Sequence, residues 1–284
     1  MAGLLRARDE VVIPSTFQDR PVVAIGRYAF VSAEQLTKIV LPDTIKQIGA
    51  CAFSGCYKLR ETNFPSVLTE IGDSAFDQCA AIQTVVLPNS VTSVGEKCFR
   101  GCTALTSVTL PEALTVLSDE VFADCENLAQ IEIPAMVTEI GSSAFAKCES
   151  LTSVVLPASV QKLGQAVFAY CTAMTEITIL GGIERIGNWC FSYCTALKCV
   201  TLAEGVREIG CYAFSGCESL IDAVLPRTVA RIEYMAFSKC EALTAIFYVG
   251  SDEDWSRVSL LRGWDGEPSG DIEVICDYKP LDGK

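Results

Sequence analysis

Ile140-Gly141-Ser142-Ser143-Ala144-Phe145-Ala146-Lys147-Cys148-Glu149-Ser150-Leu151-Thr152-Ser153-Val154-Val155-Leu156-Pro157-Ala158-Ser159-Val160-Gln161-Lys162 is one copy of a unit that recurs along the whole chain. Its phenylalanine belongs to an unbroken series at a spacing of 23 residues: Phe30, Phe53, Phe76, Phe99, Phe122, Phe145, Phe168, Phe191, Phe214 and Phe237. Three residues after each of the last nine stands a cysteine, from Cys56 to Cys240. No insertion or deletion breaks the register.

Each position of the unit has a physical role. Leu151 to Leu156 alternates, with Val154 and Leu156 on one face and Ser153 and Val155 on the other, which predicts one short strand per copy. Pro157 has no N–H to give to a ladder and ends the strand. Gly141 permits a sharp turn. Gly141 to Cys148 reads as a short helical turn, too short to be stable by itself. One such unit cannot bury its apolar residues; stacked copies can, and stability then sums over neighbours. The period therefore predicts a leucine-rich repeat solenoid of about ten coils. Its parallel β-sheet, with strands about 4.8 Å apart, is expected on the concave face, with short turns or 3-10 segments on the convex face.

The segments Ile48-Gly49-Ala50-Cys51-Ala52-Phe53-Ser54-Gly55-Cys56 and Leu105 to Pro111 resemble the repeat of the BspA-like, or Treponema-type, leucine-rich repeat family. The resemblance covers about residues 11–250. It implies the solenoid fold. It also implies a surface protein from a bacterium or protist, with adhesion or protein binding as its role.

Three regions follow from the composition. Residues 1–24, with Val11-Val12-Ile13-Pro14, read as an N-terminal capping coil, residues 25–250 as the repeats, and residues 251–284 as a C-terminal cap and tail. In the last region, 251–263 reads as a short helix capped by Ser251, 271–278 as a closing strand, and 279–284 as a loose tail. Leu180 and Ala203 stand where the template has Pro, and Gly181-Gly182 follows, so an irregularity is expected near 180–205. The N-terminus lacks the apolar stretch of a signal peptide, and no apolar run is long enough to span a membrane.

The 15 cysteines do not read as a disulfide framework. Nine share one inward repeat position and point the same way, whereas bridging needs converging Cβ vectors. They read as reduced, buried thiols, which favours a reducing or anaerobic setting. The chain has no histidine, which removes the commonest general base and metal ligand. There is no phosphate-binding glycine loop. The pairs Cys98/Cys102 and Cys190/Cys194 have metal-like spacing but sit four coils apart, so they cannot share one ion. No catalytic residue, cofactor or metal is expected. A net charge of −13 argues against nucleic acid as a partner.

Two surfaces could bind. The outward strand rows run from Lys38 to Ala245 and from Val40 to Phe247, and they are small and Thr/Val-rich. On the turn side, Tyr170, Trp189, Tyr193 and Tyr212 fall on two neighbouring columns, where earlier coils carry residues such as Ser74, Lys97, Glu120 and Ser143. Clustered aromatics mark interaction sites. The expected function is a non-catalytic scaffold for protein–protein interaction or adhesion, with those four aromatics as anchors. The alternative is a structural spacer or self-assembling surface rod.

Overall fold

The computed structural model describes residues 9–266 and 272–279. The chain is a parallel-strand solenoid of about ten turns, with little helix. It divides into two compact units. The first runs to Val137 and takes in Ala144–Glu149; the second holds Thr138–Ser143 and the chain from Ser150 onward.

In the first unit the expected strands pair in register, at equivalent repeat positions except for the capping strand, where Glu10 faces Lys38. Glu10–Val12 pairs with Lys38–Val40, which pairs with Glu61–Thr62. Thr84–Val86 pairs with Ser107–Thr109, which pairs with Gln130–Ile131. Each coil also carries a second strand, where one was expected. Ala24–Ile25, Gln47–Ile48, Glu70–Ile71 and Ser93–Val94 form a separate parallel ladder. Two residues per coil are too few to show as alternation in a sequence. The ladder forms because a fixed coil length brings the same two residues past each other in every turn.

The second unit repeats this plan. Ser153–Leu156, Glu176–Ile179, Cys199–Thr201, Asp222–Leu225, Ala245–Tyr248 and Glu273–Ile275 form one parallel sheet. Arg185–Ile186, Glu208–Ile209, Arg231–Ile232 and Ser259–Leu260 form the other. The closing strand is therefore Glu273–Ile275, paired in register with Ala245–Phe247. Asp271 and most of the expected tail lie outside the described residues, as do residues 1–8.

The helix expected over 251–263 is a single turn, Asp252–Trp255. Ser251 caps it reciprocally with Asp254. It stops there because the chain must reach Ser259–Leu260, which extends the second ladder.

The phenylalanine column is the core. In the first unit Phe30, Phe53, Phe76, Phe99, Phe122 and Phe145 stack with centroids 5.1–5.7 Å apart. In the second, Phe168, Phe191, Phe214 and Phe237 stack at 5.2–5.5 Å, and Trp264 closes the column edge-on to Phe237. Burying one such ring stabilises by about 1.5–3 kcal/mol.

The segment from Gly to Cys is a chain of tight turns, as the expectation of short turns on that side had it, and not one continuous helical turn. The N–H groups of Ala52, Ser54 and Cys56 donate three residues back within the coil. Those of Cys51, Phe53 and Gly55 donate to Asp73, Ala75 and Asp77 of the next coil. Alternate residues thus serve the turn and the stack, so the backbone is satisfied without a helix.

The glycine column also has a different basis from the expected turn. A Cβ on Gly49 would lie 2.7 Å from the backbone nitrogen of Arg27, and one on Gly72 would lie 2.7 Å from that of Ala50. These glycines let one coil sit close against the coil before it. Gly26 begins the column, and a Cβ there would meet nothing within 4 Å.

Where the first ladder stops after Thr62, a side chain takes over. The Asn63 amide accepts from the Leu41 N–H (2.7 Å) and donates to the Leu41 carbonyl (2.8 Å). Three coils later Glu132 holds the equivalent position, and the ladder stops at Ile131. A cleft of about 500 Å³ opens there, lined by Thr109, Leu110, Pro134 and Met136 among others. A carboxylate can accept from an N–H but cannot donate to a carbonyl, so Glu132 cannot reproduce the Asn63 bridge.

The irregularity expected near 180–205 is present. Leu180 is exposed, and Gly181, Gly182 and Gly205 all have positive φ. A Cβ on Gly182 would lie 2.5 Å from the Val160 carbonyl oxygen.

Candidate functional site

The turn segment carries two left-handed residues in every coil. One column runs Tyr28, Cys51, Ser74 and so on to Tyr212 and Met235, with φ between 52 and 57°. The other lies four residues later and includes Ser32, Gln78, Asp124, Tyr170, Tyr193 and Lys239, with Gly55, Gly101 and Gly216 at the remaining turns of its pattern. A non-glycine residue in this region costs about 1–2 kcal/mol. The stack holds it there: the N–H groups of Tyr170, Trp189 and Tyr193 donate to Ser192, Cys211 and Ser215 of the next coil at 2.7–2.9 Å.

The four aromatics expected to cluster do so, in the second unit. Tyr170 stacks on Tyr193 at 4.9 Å and 6°. Trp189 stacks on Tyr212 at 6.0 Å and 7°. They share a surface because each column projects beside the same floor, a different reason from the helical i,i+4 relation that predicted it. Tyr170 and Trp189 remain 45% and 42% exposed.

Between the two columns lies a groove of about 440 Å³. Its floor is Ala169, Ser192, Ser215 and Ser238, all buried. Ser192 donates to the Ser215 carbonyl at 3.2 Å. One wall ends in Ala166 beyond Trp189 and in Met235 beyond Tyr212. The other passes from Tyr193 to Gly216 and Lys239. A Cβ on Gly216 would lie 2.8 Å from the Tyr193 ring. Through that gap the Lys239 ammonium reaches to 6.0 Å from the ring centroid. Tyr234 meets Tyr212 edge-on at 5.6 Å. Burial first, and then the Tyr234 hydroxyl, raise the Tyr212 phenol above its ordinary value.

Sequence reasoning passed over the serine floor and Lys239. Both were legible in principle. The floor position lies two residues before each repeat cysteine, and Lys239 continues the Tyr193 column by two periods. At the equivalent positions of the first unit a charged cluster stands instead. There Arg100, on the floor, bonds Asp77 at 2.9 and 3.1 Å and Glu120 at 3.3 Å.

The outward strand rows are exposed over most of their length, as expected, with Val86 and Val155 at 64% and 54%. Ala245 at the end of its row is buried. No aromatic anchor stands on this face before Phe247, whose ring meets Tyr278 at 4.8 Å.

The thiols face inward. Cys56, Cys79, Cys102, Cys125, Cys148, Cys194, Cys217 and Cys240 each donate to the carbonyl of the phenylalanine 26 residues earlier, at 3.1–3.4 Å. Burial pushes the thiols of Cys194 and Cys240 up to about 12, and those of Cys79, Cys98 and Cys102 well above the ordinary thiol value. Such thiols are poor nucleophiles and poor metal ligands. Among the described residues, no group of three or more Cys, Asp or Glu is placed to hold a metal ion.

A family model described as BspA type leucine rich repeat region matches residues 23–151 and 115–244. Among solved structures, the chain is similar to a leucine rich cell surface protein from Faecalibacterium prausnitzii A2-165. The two are 27% identical over 89% of this chain and 90% of that one, with a TM-score of 0.45. It is 31% identical to a leucine rich repeat protein of T. pallidum over 66% of this chain and 78% of that one, with a TM-score of 0.46. The pneumococcal vaccine antigen PcpA is 20% identical over 94% of this chain and 79% of that one, with a TM-score of 0.63, a likeness of fold. No curated protein matches at a significant level. The repeat register, the stacked phenylalanines with their inward cysteines, and a family match over most of the length together show that the chain belongs to the BspA-type leucine-rich repeat family.

Proposed function

We propose that this chain is a non-catalytic scaffold that binds another protein at the cell surface, with Tyr170, Trp189, Tyr193 and Tyr212 as its anchors. Proteins of the leucine-rich repeat family typically mediate protein–protein interaction and are generally non-catalytic. The observation that carries the reading is the half-exposed double column of rings beside a groove. Stacked, immobile aromatics offer contact area at low entropic cost. The surface location is supported by the F. prausnitzii relative, described as a cell surface protein. Among the described residues no helix is long and apolar enough to cross a membrane. Residues 1–24 and 251–284 act in this reading as caps on the repeats.

The test is capture of surface and host proteins by the wild-type chain and by Trp189→Ser with Tyr193→Ser. Ser143 and Ser32 already occupy these two columns with positive φ, so the double variant keeps residues that the turn accepts. Loss of capture with an unchanged circular dichroism spectrum supports the reading. Undiminished capture overturns it and transfers the candidate site to the strand face.

A further inference from the structure

We infer that the aromatic groove takes an acidic segment of a protein partner, with carboxylates near Lys239 and an apolar side chain over Ala166 against the face of Trp189. This rests on the reading of the groove as a binding surface and names the chemistry of what it binds.

Backbone pairing is the first mode to exclude. The carbonyls of Ser192, Ser215 and Ser238 already accept from Tyr170, Tyr193 and Gly216 at 2.7–2.8 Å. The N–H groups of the three serines donate to Trp189, Tyr212 and Met235 within their own turns. An added strand would find no free ladder on this floor. Recognition must come from side chains.

The polar side chains among them can all donate, and two of them, Trp189 and Lys239, can only donate. The rings of each wall stack face to face along the direction in which coils succeed one another, so they turn their edges toward the groove. A ring edge is the positive part of the aromatic quadrupole. Among the described residues, no hydrogen bond takes the ring N–H of Trp189 or the hydroxyls of Tyr170 and Tyr193. Lys239 adds the one full charge of the lining, and no carboxylate lines the groove. In a chain of net charge −13, this is a strip without acid. It complements an acceptor-rich, negatively charged occupant.

The first unit supplies the contrast. At equivalent positions Asp77 and Glu120 surround a guanidinium of the chain itself. Carboxylates that would hold a cation are absent from the second-unit groove, where Ala169, Tyr212 and serines stand instead. At the end of the Trp189 wall the column continues as Ala166, a methyl in place of a ring, beside the partly exposed indole. A planar or apolar side chain seated there would continue the stacking already seen between Trp189 and Tyr212.

A displayed library of random peptides, selected on the intact chain, tests the inference. Enriched peptides should carry net negative charge with at least one aromatic or aliphatic residue. Their affinity should fall about tenfold in Lys239→Glu and should fall as salt rises. Lys198→Glu, the same charge change at an exposed site just before the strand Cys199–Thr201, should leave it unchanged. Enrichment of basic or neutral peptides overturns the inference, as does an equal response to the two charge changes or no enrichment at all. The function reading fails separately, since it depends on whether Trp189→Ser with Tyr193→Ser abolishes capture of proteins.

Discussion

The thiol of Cys125 donates to the carbonyl oxygen of Phe99, 3.2 Å away and 26 residues earlier in the chain. The bond ties the turn of one coil to the ring-bearing residue of the coil before it. Cys125 is fully buried by that packing, and its equivalents repeat the bond through both units.

Thiol reactivity should follow this burial. Cys199 lies exposed on the strand face, Cys51, Cys211 and Cys276 are half-buried, and the other eleven are buried. Counting with a thiol reagent should find one fast thiol, lost in Cys199→Ser, then up to three slower ones. The eleven should react only after denaturation. Rapid labelling of all fifteen in the native state, or bridges between repeat cysteines, would contradict the packing described.

Alkaline pH should unfold the protein. A buried thiol whose folded value is raised contributes no penalty below the unfolded value, near 9, where both states hold the proton. Above it the unfolded chain ionises and the folded chain does not, until pH reaches the folded value of about 12 for Cys194 and Cys240. Each such thiol then costs roughly 1.4 kcal/mol per pH unit within that window. Denaturant melts from pH 7 upward should show a plateau to about pH 8.5 and a steep fall beyond it. A flat profile to pH 11 would refute the buried-thiol account.

Phe145→Ala should destabilise by about 3–5 kcal/mol, the cost of emptying a buried ring site. Ser153→Ala on the exposed strand row should stay within about 0.5 kcal/mol. Urea melts of the two variants decide; the reverse ranking would mean that the inward and outward rows are misassigned.

Gly72→Ala should cost about 1–3 kcal/mol, since the atoms its Cβ would meet first are backbone of the preceding coil and cannot move aside. Gly26→Ala meets open space and should be neutral or stabilise by up to about 1 kcal/mol. Equal effects in thermal melts would show that the glycine column serves turns and not close approach.

Glu132→Asn should stabilise by about 1 kcal/mol, by giving Leu110 the amide bridge that Asn63 gives Leu41. Glu132→Gln, one methylene longer, should gain less. A loss of stability in Glu132→Asn would break the equivalence of the two junctions.

The period of 23 residues settled the coil number, the inward column of Phe and Cys, and the outward strand rows, because each copy occupies the same environment and so repeats the same residue types. The four aromatics were legible as a cluster for the same reason: they depart from the pattern at equivalent positions. The alternation of Leu151–Leu156 revealed the longer strand, whereas two-residue strands such as Gln47–Ile48 left no periodic trace.

Interactions between coils were hidden from any reading along the chain. That Gly72 serves close approach, that Trp189 and Tyr193 sit in the left-handed region, and that Lys239 returns over Tyr193 all depend on which atoms the neighbouring coil places opposite them. Asn63 and Glu132 share one repeat position, yet only one can bridge a broken ladder. A repeat states what each coil is made of, the serine column and its lack of carboxylates included; that this column floors a groove arises from the register in which coils stack, since backbone bonds between coils select the conformations that local preference alone disfavours.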